Sequence, residues 1–333
     1  MQPTSSAPAK QIYSGKADMY LAFAGGVGGA KLALGLSSIL PPEDFLVVVN
    51  TGDDFDHLGL RICPDIDTVT YTLAGLANPE TGWGVRGETW NAMDALGQLA
   101  GESWFNLGDR DLATHIERTH RLGSGDTLSA ITTRFSEKLG VRHRIAPATD
   151  DPVRTIVNTA DGAMPFQEYF VKRQCEPVVT GFEFAGASTA QPSAAVAAAF
   201  DSGKIEAIIF CPSNPYVSIA PITAIPAIEH FVRNAGVPVV AVSPIVGGNA
   251  IKGPAAKIMR ELGQASTALA VAEHYRESIS AMVIDTLDGD YADAIRALGM
   301  EVAVTDTVMK SDADKTRLAD EIIDFARALL RQK

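Results

Sequence analysis

The chain lacks a long hydrophobic run, because nowhere in its 333 residues do about 18 uncharged apolar residues follow one another. The sequence therefore predicts no membrane-spanning helix. Residues 1–18 are polar and rich in Pro, Ala and Ser, without the apolar core of a secretion signal. We expect a disordered leader over 1–18 and a single α/β domain over 19–333.

Cysteine and basic residues are also in short supply. Cys63, Cys175 and Cys211 lie far apart with no Cys-x-x-Cys pair, which argues against a disulfide framework or a zinc knuckle and favours the reducing cytoplasm. Against 40 Asp and Glu stand only 28 Lys and Arg, a formal net charge of −12. Such a chain is not a general binder of nucleic acid or anionic membranes. We expect small-molecule partners, no nucleic acid and no membrane.

A cluster of glycines is the most informative feature that is present. Gly25, Gly26, Gly28 and Gly29 separate an apolar run from residues that recur at helical spacing, which predicts strand, tight turn and helix. The N–H groups at such a helix start attract an anion, usually phosphate. The spacing matches neither the dinucleotide fingerprint, which needs Gly or Ala at position 31, nor the kinase-type Gly-Lys-Ser/Thr loop. The motif predicts a phosphorylated ligand without specifying it.

Further apolar runs end in polar or glycine-rich turns, as parallel strands do at a ligand-binding edge. They cover residues 45–50, 205–211 and 237–243, with further strands expected at 282–285 and 301–304 and a closing helix at 313–330. The pattern predicts an α/β fold with a Rossmann-like, mostly parallel sheet and helices on both faces. Residues 73–200 are expected to form an inserted, mainly helical cap subdomain.

Five aspartates fall within fifteen residues after the second expected strand. Carboxylates beside a phosphate site suit Mg²⁺, so Asp53, Asp54, Asp65 and Asp67 are candidate metal ligands. Two other interpretations stay open. Aspartates after strands often cap helices or form turns, and Asp53 or Asp54 stands where a dinucleotide-binding protein places its ribose-binding carboxylate.

Taken together, several motifs resemble the 2-phospho-lactate transferase family, which builds the side chain of the deazaflavin coenzyme F420. The matching segments are residues 25–31, 50–54, 61–68, 83–84 with 88–90, 107–115, 212–215, 243–245 and 253–257. The resemblance implies a Mg²⁺-dependent transfer of phospholactate, phosphoenolpyruvate or phosphoglycerate from its guanosine-diphospho derivative. The acceptor is the terminal ribityl hydroxyl of the deazariboflavin FO (7,8-didemethyl-8-hydroxy-5-deazariboflavin), and GMP leaves.

The resemblance also implies roles for single residues. The four glycines cradle phosphate with Lys31 or Lys257 as a point charge, and the four aspartates act as catalytic residues that hold Mg²⁺ and the attacking hydroxyl. The other expected binding residues lie on later loops: Ser213, Asn214 and Ser243 at guanosine or its phosphates, and Trp83, Trp90 or Phe105 with Asp109 and Arg110 at the deazaflavin. A homodimer is the default assembly, since closed two-fold oligomers are the commonest.

Two other functional classes also fit some of these motifs. A nicotinamide-dependent dehydrogenase would use the glycine turn and Asp53 for its dinucleotide, but the missing third glycine disfavours it. A non-catalytic nucleotide-binding regulator on a related fold would bind ligand without turnover. The segment 64–68 and the expected deazaflavin-binding motifs favour the transferase over the regulator.

Overall fold

The computed structural model describes residues 19–332, so the leader expected at 1–18 lies outside the described residues. The strands are β1 (Met19–Ala24), β2 (Phe45–Val49), β3 (Phe55–His57), β4 (Leu60–Ile62), β5 (Arg144–Pro147), β6 (Arg154–Thr159), β7 (Gly162–Pro165), β8 (Val179–Ala185), β9 (Ile205–Phe210), β10 (Val239–Val242), β11 (Ile245–Val246), β12 (Asn249–Ala250), β13 (Ala281–Asp285) and β14 (Glu301–Thr305).

The helices connect and cover these strands. They are α1 (Gly26–Ile39), α2 (Pro64–Leu73), α3 (Asn91–Gln98), α4 (Asp109–Gly123), α5 (Leu128–Lys138), α6 (Ala194–Asp201), α7 (Ala220–Thr223), α8 (Pro226–Arg233), α9 (Ala255–Glu261), α10 (Ala268–Tyr275), α11 (Ala292–Ala297) and α12 (Asp312–Leu330). Short 3₁₀ or π-helical turns lie at Pro42–Asp44, Glu168–Lys172, Pro215–Ile219 and Thr286–Tyr291. No helix within 19–332 has both the length and the apolar composition needed to cross a bilayer.

The main sheet has seven parallel strands in the order β14-β13-β10-β9-β1-β2-β5. This confirms the predicted α/β fold, and each strand expected from an apolar run is present. The central strand β1 pairs with β2 on one side and with β9 on the other. The strand order therefore reverses at β1, and ligands bind at such switch points in open α/β sheets.

Alternate side chains of β1 point into two separate hydrophobic cores. Tyr20 and Ala22 pack in the core that α1, α2, α5 and α12 cover, whereas Leu21 and Phe23 pack in the core under α6 and α8 to α11. All five residues of β2 are buried as well. Strands buried on both faces are typical of parallel sheets, and they confirm the expected helices on both faces.

The segment 73–200 contains more strand than the sequence suggested. Helices α3 to α5 lie there, but β5 extends the main sheet beside β2, and β7, β6 and β8 form a separate antiparallel sheet. Strand β5 has four residues and ends at Pro147, which is too short to show a periodicity. Strand β7 is mostly exposed and lacks the β-branched residues that mark a strand.

Candidate active site

A cavity of about 780 Å³ lies beyond the carboxyl ends of β1, β2, β9 and β10. Its volume suits a small-molecule site. Among the residues expected at the site, those in its lining are Gly25, Gly26, Gly28, Lys31, Asp53, Asp65, Asp67, Trp83, Phe105, Ser213, Asn214 and Ser243. The strand reversal at β1 brings these distant segments to one place.

The glycine turn forms the N-terminus of α1, which begins at Gly26. The Gly26 N–H donates to Asp65 Oδ1 over 2.7 Å, and the Gly25 N–H donates to Ser213 Oγ over 3.2 Å. Ser213 in turn donates to the Gly25 carbonyl over 2.8 Å. The turn is thus held between the start of α2 and the loop after β9.

Three of the four glycines are needed for contacts inside the protein. A Cβ at Gly28 would lie 2.2 Å from the Pro212 carbonyl oxygen, and one at Gly29 would lie 2.6 Å from Ser213 Oγ. At Gly25 the Cβ would meet Asp65 Oδ2 at 2.5 Å. Only Gly26 has open space beside it, and its φ of +61° favours glycine for a different reason.

Asp53 and Asp65 are two buried carboxylates that face the same cavity. Burial and the neighbouring Asp65 charge raise the pKa of Asp53 well above its usual range. Asn50 Nδ2 donates to Asp65 Oδ2 over 2.9 Å, whereas Asp53 Oδ1 is buried with no hydrogen-bond partner in the described chain. An oxygen without a partner, close to a second carboxylate, fits a divalent cation such as Mg²⁺.

Asp54 is buried but lies outside the cavity lining. Burial raises its pKa to about 7, and a hydrogen bond with Cys63 is the largest opposing effect. Its Oδ1 atom is also buried without a partner within 19–332. Asp54 therefore contributes no surface to the cavity.

Asp67 lines the cavity but already has a cationic partner. The buried Arg118 guanidinium contacts both of its carboxylate oxygens, with Nη1 at 3.1 Å from Oδ2. His115 Nε2 lies 3.3 Å from Asp111 Oδ2, and the Tyr71 hydroxyl donates to the other oxygen of Asp111 over 2.7 Å. Because Arg118 supplies the positive charge, this cluster is closer to a complete ion network than to an open metal site.

The structure does not place five of the expected binding residues in the cavity lining, namely Gly29, Lys257, Trp90, Asp109 and Arg110. Lys257 pairs with Glu261 one helical turn away. Asp109 accepts hydrogen bonds from Thr89 Oγ1 (2.6 Å) and the Ala92 N–H (2.9 Å), so it holds the start of α3. These hydrogen bonds keep its pKa well below the usual range. Arg110 donates to the Arg86 carbonyl.

Several lining residues were missed by the sequence reasoning. Lys252 is one of them, and the only sign of it in the sequence is its position between the glycines at 247–248 and at 253. The others include Asp111 and His115 and the aromatic residues Trp104, Phe166 and Phe170, which lie in the lining together with the expected Phe105. The Phe166 and Phe170 rings stack with centroids 5.4 Å apart, and Trp104 meets Phe105 edge-on at 5.7 Å. The cavity lining thus combines charged groups with aromatic rings.

Comparison with known proteins decides the family. The profile described as 2-phospho-L-lactate transferase CofD matches residues 21–319. The chain belongs to this family. A phosphoenolpyruvate transferase of Streptomyces coelicolor is 42% identical over 310 residues, covering 91% of this chain and 96% of that protein. A 2-phospho-L-lactate transferase of Methanosarcina mazei is 37% identical over 301 residues, covering 90% and 98%.

A solved structure supports the same fold at lower sequence similarity. A Bacillus halodurans protein of the UPF0052 family superposes with a TM-score of 0.62 and 13% identity, covering 93% of this chain and all of that one. At this identity the likeness concerns the fold alone. Membership of the transferase family therefore rests on the family profile and the two transferases.

The close approach at Gly28 gives a prediction about stability. Gly28→Ala should lower the free energy of unfolding by about 1–3 kcal/mol, because its Cβ would overlap the Pro212 carbonyl. The measurement is urea denaturation followed by circular dichroism. Gly97→Ala is the matched control, because Gly97 lies within α3 with open space beside it. Equal stability of the two variants would contradict the packing role.

The buried Arg118 gives a second prediction. Arg118→Met should cost about 3–5 kcal/mol, because it leaves Asp67 buried without its counter-ion. Arg61→Met removes a more exposed pair with Asp56 and should cost less than about 1 kcal/mol. Denaturation of both variants, and of Arg118→Met combined with Asp67→Asn, measures the effect. The double variant should regain part of the loss, and no recovery would count against an electrostatic cause.

Proposed function

We propose that the protein transfers a phosphorylated three-carbon acid from its guanosine-diphospho derivative to the deazariboflavin FO, with Mg²⁺ as cofactor. The observation that carries the proposal is the cavity lining, which combines carboxylates and a helix N-terminus with aromatic rings. A diphosphate ester and a flat tricyclic ring need these two environments. Membership of the transferase family supports the same assignment.

In this reaction the terminal ribityl oxygen of FO forms a bond to the phosphorus next to the three-carbon acid. The bond from that phosphorus to the bridging oxygen breaks, and GMP leaves with the electron pair. The proton of the ribityl hydroxyl passes to the phosphate of the departing GMP or to solvent. The protein must therefore neutralise a diphosphate and hold a primary alcohol in line with the bond that breaks.

The charged and polar residues of the cavity lining supply the groups for the diphosphate. The N-terminus of α1 and Lys31 both line the cavity, and their positive charge would attract the diphosphate, although the Gly26 N–H itself is taken by Asp65. The Ser213 hydroxyl donates to the Gly25 carbonyl, and the Ser243 hydroxyl donates to the Ile245 carbonyl. Both serines therefore shape the loops. Asn214 Nδ2 is buried with no partner in the described part of the chain, and we assign it to the guanosine or a phosphate.

Mg²⁺ would be held by Asp53 and Asp65, since both face the cavity and Asp53 has an oxygen without a partner. Bound there, the cation would offset the negative charge of the diphosphate. Asp54, which lies outside the cavity lining, would act through its neighbour Asp53. Asp67 would order the floor of the cavity through Arg118.

The aromatic residues of the cavity lining would hold the deazaflavin ring. Phe166, Phe170, Trp104 and Phe105 offer apolar ring surfaces there, and Trp83 lies at the mouth with 48% of its surface exposed. Flat aromatic ligands pack well on such side chains. Trp83 and Phe105 were expected here from the sequence, whereas Trp90 lies outside the lining.

The dehydrogenase alternative fits less well. Position 31 holds Lys31, where the dinucleotide fingerprint needs Gly or Ala. The chain also belongs to a transferase family. The three-carbon acid is proposed to be phosphoenolpyruvate or phospholactate, the groups named in the relatives. Cytoplasmic location and a homodimer remain part of the proposal.

The metal assignment can be tested with single variants. Asp53→Asn or Asp65→Asn should lower the turnover about a hundredfold or more, as removal of a group that stabilises developing charge does. MgCl₂ should raise the melting temperature of the parent protein and not that of the variants. Asp56→Asn is the control, because Asp56 is exposed and pairs with Arg61. Full activity of protein stripped with EDTA would refute the metal role.

The reaction itself can be tested with an acceptor analogue. FO whose terminal ribityl hydroxyl is replaced by hydrogen should bind, as followed by its fluorescence, but should form no phosphodiester. Release of GMP, followed by chromatography with each guanosine-diphospho acid in turn, should fall to the background hydrolysis rate. Release at the normal rate with the analogue would mean that FO is not the acceptor.

A further inference from the structure

Two lysines of the cavity have no acidic partner. Lys252 Nζ donates to the Thr81 carbonyl over 2.9 Å, and Lys31 Nζ donates to the Met309 carbonyl over 2.9 Å. Neither forms an ion pair with a described residue, although acidic residues outnumber basic ones in this chain. Lys257 and Lys315, in contrast, are paired with Glu261 and Asp312. The cavity therefore keeps two ammonium groups for another anion.

Both lysines lie beside the first turns of α1. Lys31 follows Val27 by four residues, so the two side chains share one face of the helix. A Cβ at Gly82 would lie 2.8 Å from Val27 Cγ1 and 3.0 Å from Lys252 Nζ, which places the Lys252 ammonium group next to the same face. Burial and then the charge of Lys252 lower the pKa of Lys31. The helix N-terminus and the two cations thus converge.

The Lys252 contact also joins two loops across the cavity. Thr81 belongs to the loop 78–84, whose own hydrogen bonds run from Asn78 N–H to Gly84 O and from Gly82 N–H to Asn78 O. Trp83 lies in this loop and lines the cavity. A neutral carbonyl is a weaker partner for an ammonium group than a phosphate oxygen, because only the phosphate adds Coulombic attraction between opposite charges.

We propose that Lys252 binds the diphosphate of the guanosine-linked donor together with Lys31, and that it gives up the Thr81 carbonyl to do so. Donor binding then frees the loop 78–84 and Trp83, and the acceptor binds after the donor. This inference rests on the proposed function for the identity of the donor. The exchange of partners at Lys252 therefore couples binding of the diphosphate to the mobility of the loop 78–84.

The test uses GDP and inorganic pyrophosphate as probes, with calorimetry for affinity and hydrogen exchange for the loop. Lys252→Met should weaken binding of both probes at least tenfold, and Lys252→Arg should retain most of the affinity. Lys315→Met is the control for loss of one charge near Lys31, because its ammonium group is paired with Asp312 outside the cavity lining. GDP should raise amide exchange in residues 78–84 of the parent protein, and Lys252→Met should show raised exchange without GDP.

Two results would overturn the proposal. One is an affinity of Lys252→Met for GDP within twofold of the parent protein, and the other is no change of exchange in 78–84 on GDP binding. The function is tested separately by transfer to FO. If the probes bind as expected but no transfer occurs, the assigned reaction fails and the Lys252 site stands. If transfer occurs and Lys252→Met binds GDP normally, the Lys252 site fails and the reaction stands.

Discussion

The site depends on the close approach of the turn after β1 to the loop after β9. At Gly28 and Gly29 the backbone of α1 lies so near Pro212 and Ser213 that no side chain fits between them. This contact sets where α1 begins and therefore where its N–H groups point. The same turn donates a hydrogen bond from the Gly26 N–H to Asp65 of α2. A steric constraint between backbones thus positions the charged groups from three loops.

The site contains positively charged groups, although the chain as a whole is negatively charged. A protein with a net charge of −12 concentrates two buried carboxylates and two unpaired ammonium groups in one cavity. Asp53 and Asp65 repel one another, whereas Asp67 is neutralised by Arg118. Local geometry therefore divides one acidic segment into a part suited to a cation and a part that stabilises the floor. Net charge alone says nothing about either.

Features set by local sequence could be predicted, and those set by tertiary contacts could not. The strand runs around β1, β2, β9 and β10 and the helix start at Gly26 follow from periodicity and glycine spacing. Lys257 and Lys252 lie five residues apart, and only the fold shows that Lys252 lines the cavity. The i,i+4 spacing of Lys257 and Glu261 was a local sign of their ion pair. The sequence predicts Asp109 at the deazaflavin, whereas only its contacts with Thr89 and Ala92 in the fold show that it holds the start of α3.

The pairing of β1 with β9 also affects how the chain acquires its structure during synthesis. Tyr20 in β1 contacts Glu206 in β9, although 186 positions separate them in sequence. The central strand thus leaves the ribosome long before the neighbour that completes its second edge. Until then its hydrogen-bonding groups on that side are open to other strands. Contacts at such separation slow folding, so the nascent chain is exposed to mispairing for most of its translation.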